Sequence, residues 1–180
     1  CGDEVVDETP TDETPTDETP TTPVVTGGNV EVTLNPASIA NGTQIPAVGT
    51  VRFAKVDFTA GDRDVSVNTV EMTSLGLASV PTDTRVFFEI NGKRVSGKAA
   101  FSSDRVAVVS FAPALVVKAG STETLDLFVE LDTDSGNDFQ FSGKVTSSSA
   151  DSNLGSFTTS TLRTATYTVV TTEFAKAGSD

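Results

Sequence analysis

Between Leu125 and Leu131 the chain alternates without a fault: Leu125, Leu127, Val129 and Leu131 take one parity, and Asp126, Phe128 and Glu130 take the other. Successive side chains of an extended strand point to opposite faces, so such a run builds a strand with one face buried and one in water. The same signature recurs along the body. Val30, Val32 and Leu34 alternate with Glu31 and Thr33. Val51 and Phe53 share one phase and Ala54, Val56 and Phe58 the next, which predicts a bulge near Arg52–Ala54. Val65 and Val67 slip in the same way to Val70 and Met72. Val86, Phe88 and Ile90 run into Asn91-Gly92, a pair suited to the positive φ angles of a tight hairpin turn. Val106 and Val108 follow, with Phe111 one phase later. Phe139 and Phe141 open another strand, and Ala165, Tyr167 and Val169 form the last. Sustained helical spacing is found nowhere.

About nine or ten short strands with turn chemistry between them, at Gly61-Asp62, Ala119-Gly120-Ser121 and Asp134-Ser135-Gly136, predict two packed antiparallel sheets. The expected fold is all-β, an immunoglobulin-like or jelly-roll sandwich. The chain has no Trp, one Cys and one Tyr, so its 11 phenylalanines must supply the bulk of the core. They read as packing rather than as a ligand platform.

The first 26 residues differ in kind. Asp7 to Thr21 is three consecutive Asp-Glu-Thr-Pro-Thr units, and residues 1–26 carry eight carboxylates and no Lys or Arg. Prolines at 10, 15, 20 and 23 remove amide donors, and adjacent carboxylates repel, so the composition predicts an extended, polyproline-like stalk. Its threonines beside proline suit O-glycosylation. The domain organisation is then a tail over 1–26, a sandwich over 27–176 and a short tail over 177–180. Of the formal net charge of −13, −8 belongs to the tail. An acidic balance repels nucleic-acid phosphates and anionic headgroups, so no nucleic-acid partner is expected.

No stretch approaches the roughly 20 apolar residues that span a bilayer. Cys1-Gly2, followed by a polar repeat and a β-rich body, resembles the mature N-terminus of a bacterial lipoprotein. The resemblance implies acylation of Cys1, attachment to a membrane through that lipid alone, and an exported, cell-surface location. The body, Thr-, Val-, Ser- and Gly-rich, resembles at the level of pattern the immunoglobulin-like domains of bacterial surface and filament proteins.

Chemistry is scarce. With no His, the Ser-His-Asp and Cys-His systems and His-metal sites are excluded. Carboxylates are plentiful, but none sits in a recognisable motif, and neither a P-loop nor a dinucleotide fingerprint is present. The chain is therefore expected not to be an enzyme, and it implies no organic cofactor. One segment suits a metal. Asp132, Asp134, Asn137 and Asp138 alternate around Gly136 and resemble the start of an EF-hand loop, which implies Ca²⁺. Asn137 stands where that loop needs its glycine, and Gly143 where it needs its bidentate Glu. The competing reading is a solvated hairpin loop. Asn41-Gly42-Thr43 matches a glycosylation sequon and reads equally as a turn. Lys93, Arg94 and Lys98 form the densest positive cluster, suited to an acidic patch such as the tail of a neighbouring copy.

The expected function is structural: a subunit of an extracellular filament or sheath, a homopolymer joined by exchange of terminal strands. Residues 24–34 and 164–174 are strand-like, and a sandwich edge accepts an added strand through main-chain hydrogen bonds. Head-to-tail addition does not close and so builds fibres. The alternatives are a lipid-anchored adhesin or Ca²⁺-assisted carbohydrate-binding module, and an accessory domain of an extracellular enzyme complex.

Overall fold

The computed structural model describes residues 30–76, 80–133, 136–147 and 153–166. Cys1, the acidic tail, Asp134 and the strand expected through Tyr167 and Val169 lie outside the described residues. Among the described residues thirteen strands follow in order: β1 (Val30–Leu34), β2 (Gln44–Ile45), β3 (Val48–Ala60), β4 (Val65–Ser74), β5 (Arg85–Ile90), β6 (Lys93–Arg94), β7 (Ala99–Ala100), β8 (Val106–Val117), β9 (Thr122–Asp132), β10 (Asp138–Phe139), β11 (Phe141–Thr146), β12 (Asn153–Thr158) and β13 (Leu162–Thr164).

The chain is all-β, an antiparallel sandwich. One sheet runs β1-β3-β9-β5-β6, with β7 also on β5, and the facing sheet runs β12-β11-β4-β8. A three-stranded sheet, β10-β13-β2, caps one pole and contains one parallel pair, β13 with β2. Alternation sets which face is buried. Leu125, Leu127, Val129 and Leu131 of β9 are 3% exposed or less, as are Phe53, Val56 and Phe58 of β3 and Val65, Val67, Val70 and Met72 of β4. Phenylalanines fill the middle, with Phe141 touching Phe53, Phe101 and Phe139.

Both expected register slips are present. β3 shifts against β9 between Arg52 and Ala54, which turns Phe53 and Ala54 both inward. β4 shifts against β8 between Val67 and Thr69. Asn91 (φ 50°) and Gly92 (φ 76°) make the β5–β6 turn. The phase expected in β8 is wrong: Ala107, Val109 and Phe111 all point inward without a slip, while Val108 is 54% exposed. Val106, Val108 and Val109 place apolar groups in both parities, so periodicity could not choose between them. β12 was not foreseen. Its Gly155 and the Ser and Thr around it carry no alternation, yet β11 pairs with it, and a Cβ on Gly143 would lie 2.3 Å from the Phe157 ring.

Elements of the two sheets come together on both lateral sides of the sandwich. On one, β1 packs beside β12, so tightly that a Cβ on Gly155 would come within 2.7 Å of Val32 Cγ2. On the other, residues 97–102 strap the sheets together. Gly97 N–H donates to the Ser110 carbonyl (2.9 Å) and Ser102 N–H to the Val106 carbonyl (2.8 Å), while β7 within the strap pairs with β5. Between β6 and β7 the edge of β5 is finished by a side chain: Ser96 Oγ accepts from Phe88 N–H (2.8 Å) and donates to the Gly97 carbonyl (3.0 Å). Natural sheets blunt their edges in such ways against unwanted pairing.

Asp64 joins the loops that precede β4 and β9. Its carboxylate accepts from Lys118 Nζ (2.7 Å) and Ala119 N–H (2.9 Å). The Lys118 bond, then the Ala119 amide, hold the Asp64 carboxyl below the ordinary aspartate value. A lowered folded-state pKa contributes stability above the ordinary pKa that is lost as pH falls through the folded one. Asp64→Asn is accordingly expected to give a small drop in urea midpoint at pH 7, and the gap to the parent protein should close in strong acid. Equal midpoints at pH 7 would show that the contact contributes nothing.

Candidate functional site

The side chains that the sandwich leaves outward carry more organisation on one sheet than a solvated face requires. On β9 the outward parity holds Asp126, Phe128 and Glu130; on β5 it holds Arg85, Phe87 and Glu89. Ladder registry aligns these into cross-strand rows. In the central row Arg52 stands opposite Phe128, and Phe128 opposite Phe87. The two rings are stacked, 5.4 Å apart and 10° from parallel. Lys98 Nζ lies 5.1 Å from the Phe87 centroid, an attraction between a cation and the ring face. Phe87 is 5% exposed but stands apart from the core cluster, and Phe128 is half-buried.

One flanking row runs Lys55, Asp126, Glu89, Arg94, and the other runs Thr50, Glu130, Arg85. Asp126 Oδ1 is 2.9 Å from Lys55 Nζ and 3.9 Å from Arg52 Nε, close in distance but not aligned as hydrogen bonds. Lys98 pairs with Glu130, and Arg85 Nη1 donates to the Thr82 carbonyl at 2.8 Å. With Lys98 counted, these rows hold five cations, Arg52, Lys55, Arg85, Arg94 and Lys98, against the carboxylates of Glu89, Asp126 and Glu130. On a chain of formal net charge −13, this is a local inversion of sign.

The positive cluster read from sequence is thus divided. Arg94 and Lys98 reach this face, whereas Lys93, opposite Ile90, takes the other parity. The aromatic row was missed because phenylalanine was assigned to the core as a type. The available signal was parity: Phe87 and Phe128 fall on the charged phase of their own strands.

Three of the four residues expected to hold a metal, Asp132, Asn137 and Asp138, fall within the described residues. Asp132 ends β9 opposite Val48 and is exposed. Asn137 N–H donates to Thr164 Oγ1 (2.9 Å), its carbonyl accepts from Thr164 N–H (2.8 Å), and its side-chain amide donates to Thr133 Oγ1 (3.3 Å). Asp138 lies 3.6 Å from Arg163 Nη1. The segment is stitched to β13, and among the described residues no three His, Cys, Asp or Glu side chains gather around a point. Asp134, the remaining ligand of the expected set, lies outside the described residues. Asn41 of the sequon uses Oδ1 to accept from Thr161 N–H (2.9 Å), beside the turn at Gly42.

No protein-family model and no curated protein matches the chain. Among solved structures it is similar to the N-terminal domain of PorA, at 13% identity and a TM-score of 0.37, over 76% of this chain and 97% of that one. It is also similar to a PapD-like domain of human CEP192, at 13% identity and a TM-score of 0.31, over 77% of this chain and 85% of that one.

Proposed function

We propose that the chain is a structural subunit of an exported cell-surface filament or sheath, joined to its neighbours by exchange of a terminal strand, and that it performs no catalysis. The observation that carries this reading is the seat of β1. The first described strand fills the gap between β3 of one sheet and β12 of the other, with Val30 buried and Val32 against Gly155. A gap shaped for this strand fits the same strand from a second copy equally well, so exchange costs little beyond opening a hinge. The chain is fastened just after β1: Asn35 N–H donates to the Lys55 carbonyl (2.9 Å), Asn35 Nδ2 to Asp57 (2.7 Å) and Ser38 Oγ to the Lys55 carbonyl (2.8 Å). These bonds mark where exchange would hinge.

Cysteines at Val32 and Gly155 test the reading in a Cys1→Ser background. The Cβ of residue 32 lies 3.2 Å from a Cβ built on Gly155, a few tenths of an ångström inside the roughly 3.5–4.5 Å that a disulfide spans, so a small outward shift of β1 lets the bridge form. In material assembled as the intact chain, a ladder of disulfide-linked multimers on a non-reducing gel is the expected result. Intrachain bridges alone, in fibres seen by electron microscopy, would mean that assembly proceeds without exchange of β1. Discrete monomers under all conditions would remove the structural reading itself.

A further inference from the structure

The face built on the Arg52–Phe128–Phe87 row has a partner encoded in the same chain. We infer that it binds the acidic, proline-containing tail of a second copy, two successive Asp-Glu pairs and the proline between them to one face. The inference rests on the assembly reading above and supplies it with a second contact.

Three properties of the face match the tail. The first is charge: five cations against three carboxylates in the rows, facing a segment with eight carboxylates and no cation. The second is surface type. Proline-rich segments in extended conformation arrive with little entropy left to lose and dock on aromatic rings, and Phe128 is the ring of this row that remains partly open. The third is spacing. A polyproline-like strand advances about 3.1 Å per residue, so the Asp-Glu pairs of successive five-residue units recur roughly every 15 Å. From Arg52 to Lys98 the row crosses β3, β9 and β5, two strand spacings of about 4.8 Å plus the reach of the Lys98 side chain, close to the same span. Acidic pairs of adjoining units would meet Arg52 at one end and Lys98 at the other, with the intervening proline over Phe128.

The repeat number favours a neighbour as the source. One face takes two adjoining acidic pairs and the proline between them; three equal units supply more than a chain covering only its own face needs, which leaves carboxylates for a further copy at raised effective concentration.

Photocrosslinking tests this on the full chain. A benzophenone amino acid replaces Thr14, between the second Asp-Glu pair and Pro15, and tagged and untagged copies are mixed. The expected adduct joins two copies and maps by mass spectrometry to the peptide containing Phe128. Its yield should fall at least about fivefold in Arg52→Glu and in 0.5 M NaCl, since exposed charge contacts are lost to sign reversal and to screening. Arg52 has a side chain 49% exposed, so its reversal leaves the fold intact. Adducts confined to single chains would place the tail on its own face and overturn the inference. So would adducts mapping elsewhere, or a yield indifferent to Arg52→Glu. If disulfide ladders from Val32 and Gly155 persist while these adducts fail, strand exchange stands and tail docking falls; the reverse pattern separates them the other way.

Discussion

Phe141→Ala is expected to lower the free energy of unfolding by about 3–5 kcal/mol, a large share of what a domain of this size holds in reserve. Phe141 is fully buried where the sheets meet, edge-on to Phe53 at 4.9 Å and stacked with Phe101 at 5.4 Å and Phe139 at 6.4 Å. Truncation removes the transfer energy of the ring and leaves a void whose aromatic walls cannot easily collapse, because Phe53 and Phe139 are held in β3 and β10 and Phe101 directly follows β7. At roughly 2–4 °C per kcal/mol, the melting temperature should fall by about 6–20 °C. Val108→Ala is the matched control: with 54% of that side chain exposed, its effect should stay within about 0.5 kcal/mol. Urea titration followed by far-ultraviolet circular dichroism reads both. Comparable losses in the two variants would contradict the assignment of the core.

Gly155→Ala carries the second large effect. The added methyl would lie 2.7 Å from Val32 Cγ2, 3.2 Å from Val32 Cβ and 3.4 Å from the Val30 carbonyl oxygen. Val32 is β-branched and cannot swing clear, so relief requires β1 to move off β12. Overpacking of this kind costs about 1–3 kcal/mol. The loss should appear locally as faster hydrogen exchange at Val30–Leu34 than at β9. Val32→Ala removes the nearest colliding atom, so the double variant should be less destabilised than the sum of the two singles. Strict additivity would mean that β1 and β12 do not touch as described.

The same junction shows how far the sequence could be read. Alternation was decisive where one parity was apolar and the other charged: β9, β5 and both halves of β3 follow it, and the bulge at Arg52–Ala54 was visible as a change of phase. It failed where chemistry does not sort by parity. β8 has valines in both phases, and β12 has a glycine where a side chain would be expected because β1 already occupies the space. Nothing local in Asn153–Thr158 announces that neighbour. The charged aromatic face was half legible. Arg94 and Lys98 were noticed as a run of charge, but Arg52, Phe128 and Phe87 come from three strands far apart in sequence, and only the ladder registry places them in one row.

The placement of β1 also decides how the molecule bears load. Val30 lies at the Ala60 end of β3, whereas Ala165 is bonded to Ile45, just before β3 begins, so these two residues sit near opposite poles. Tension between them runs along the β1–β3 ladder rather than across it. The bonds from Val30 to Leu34 must then yield together in shear, not open one after another like a zipper. A five-residue strand loaded in this direction is a mechanical clamp, and pulling from both ends should meet a resistance far greater than its length suggests.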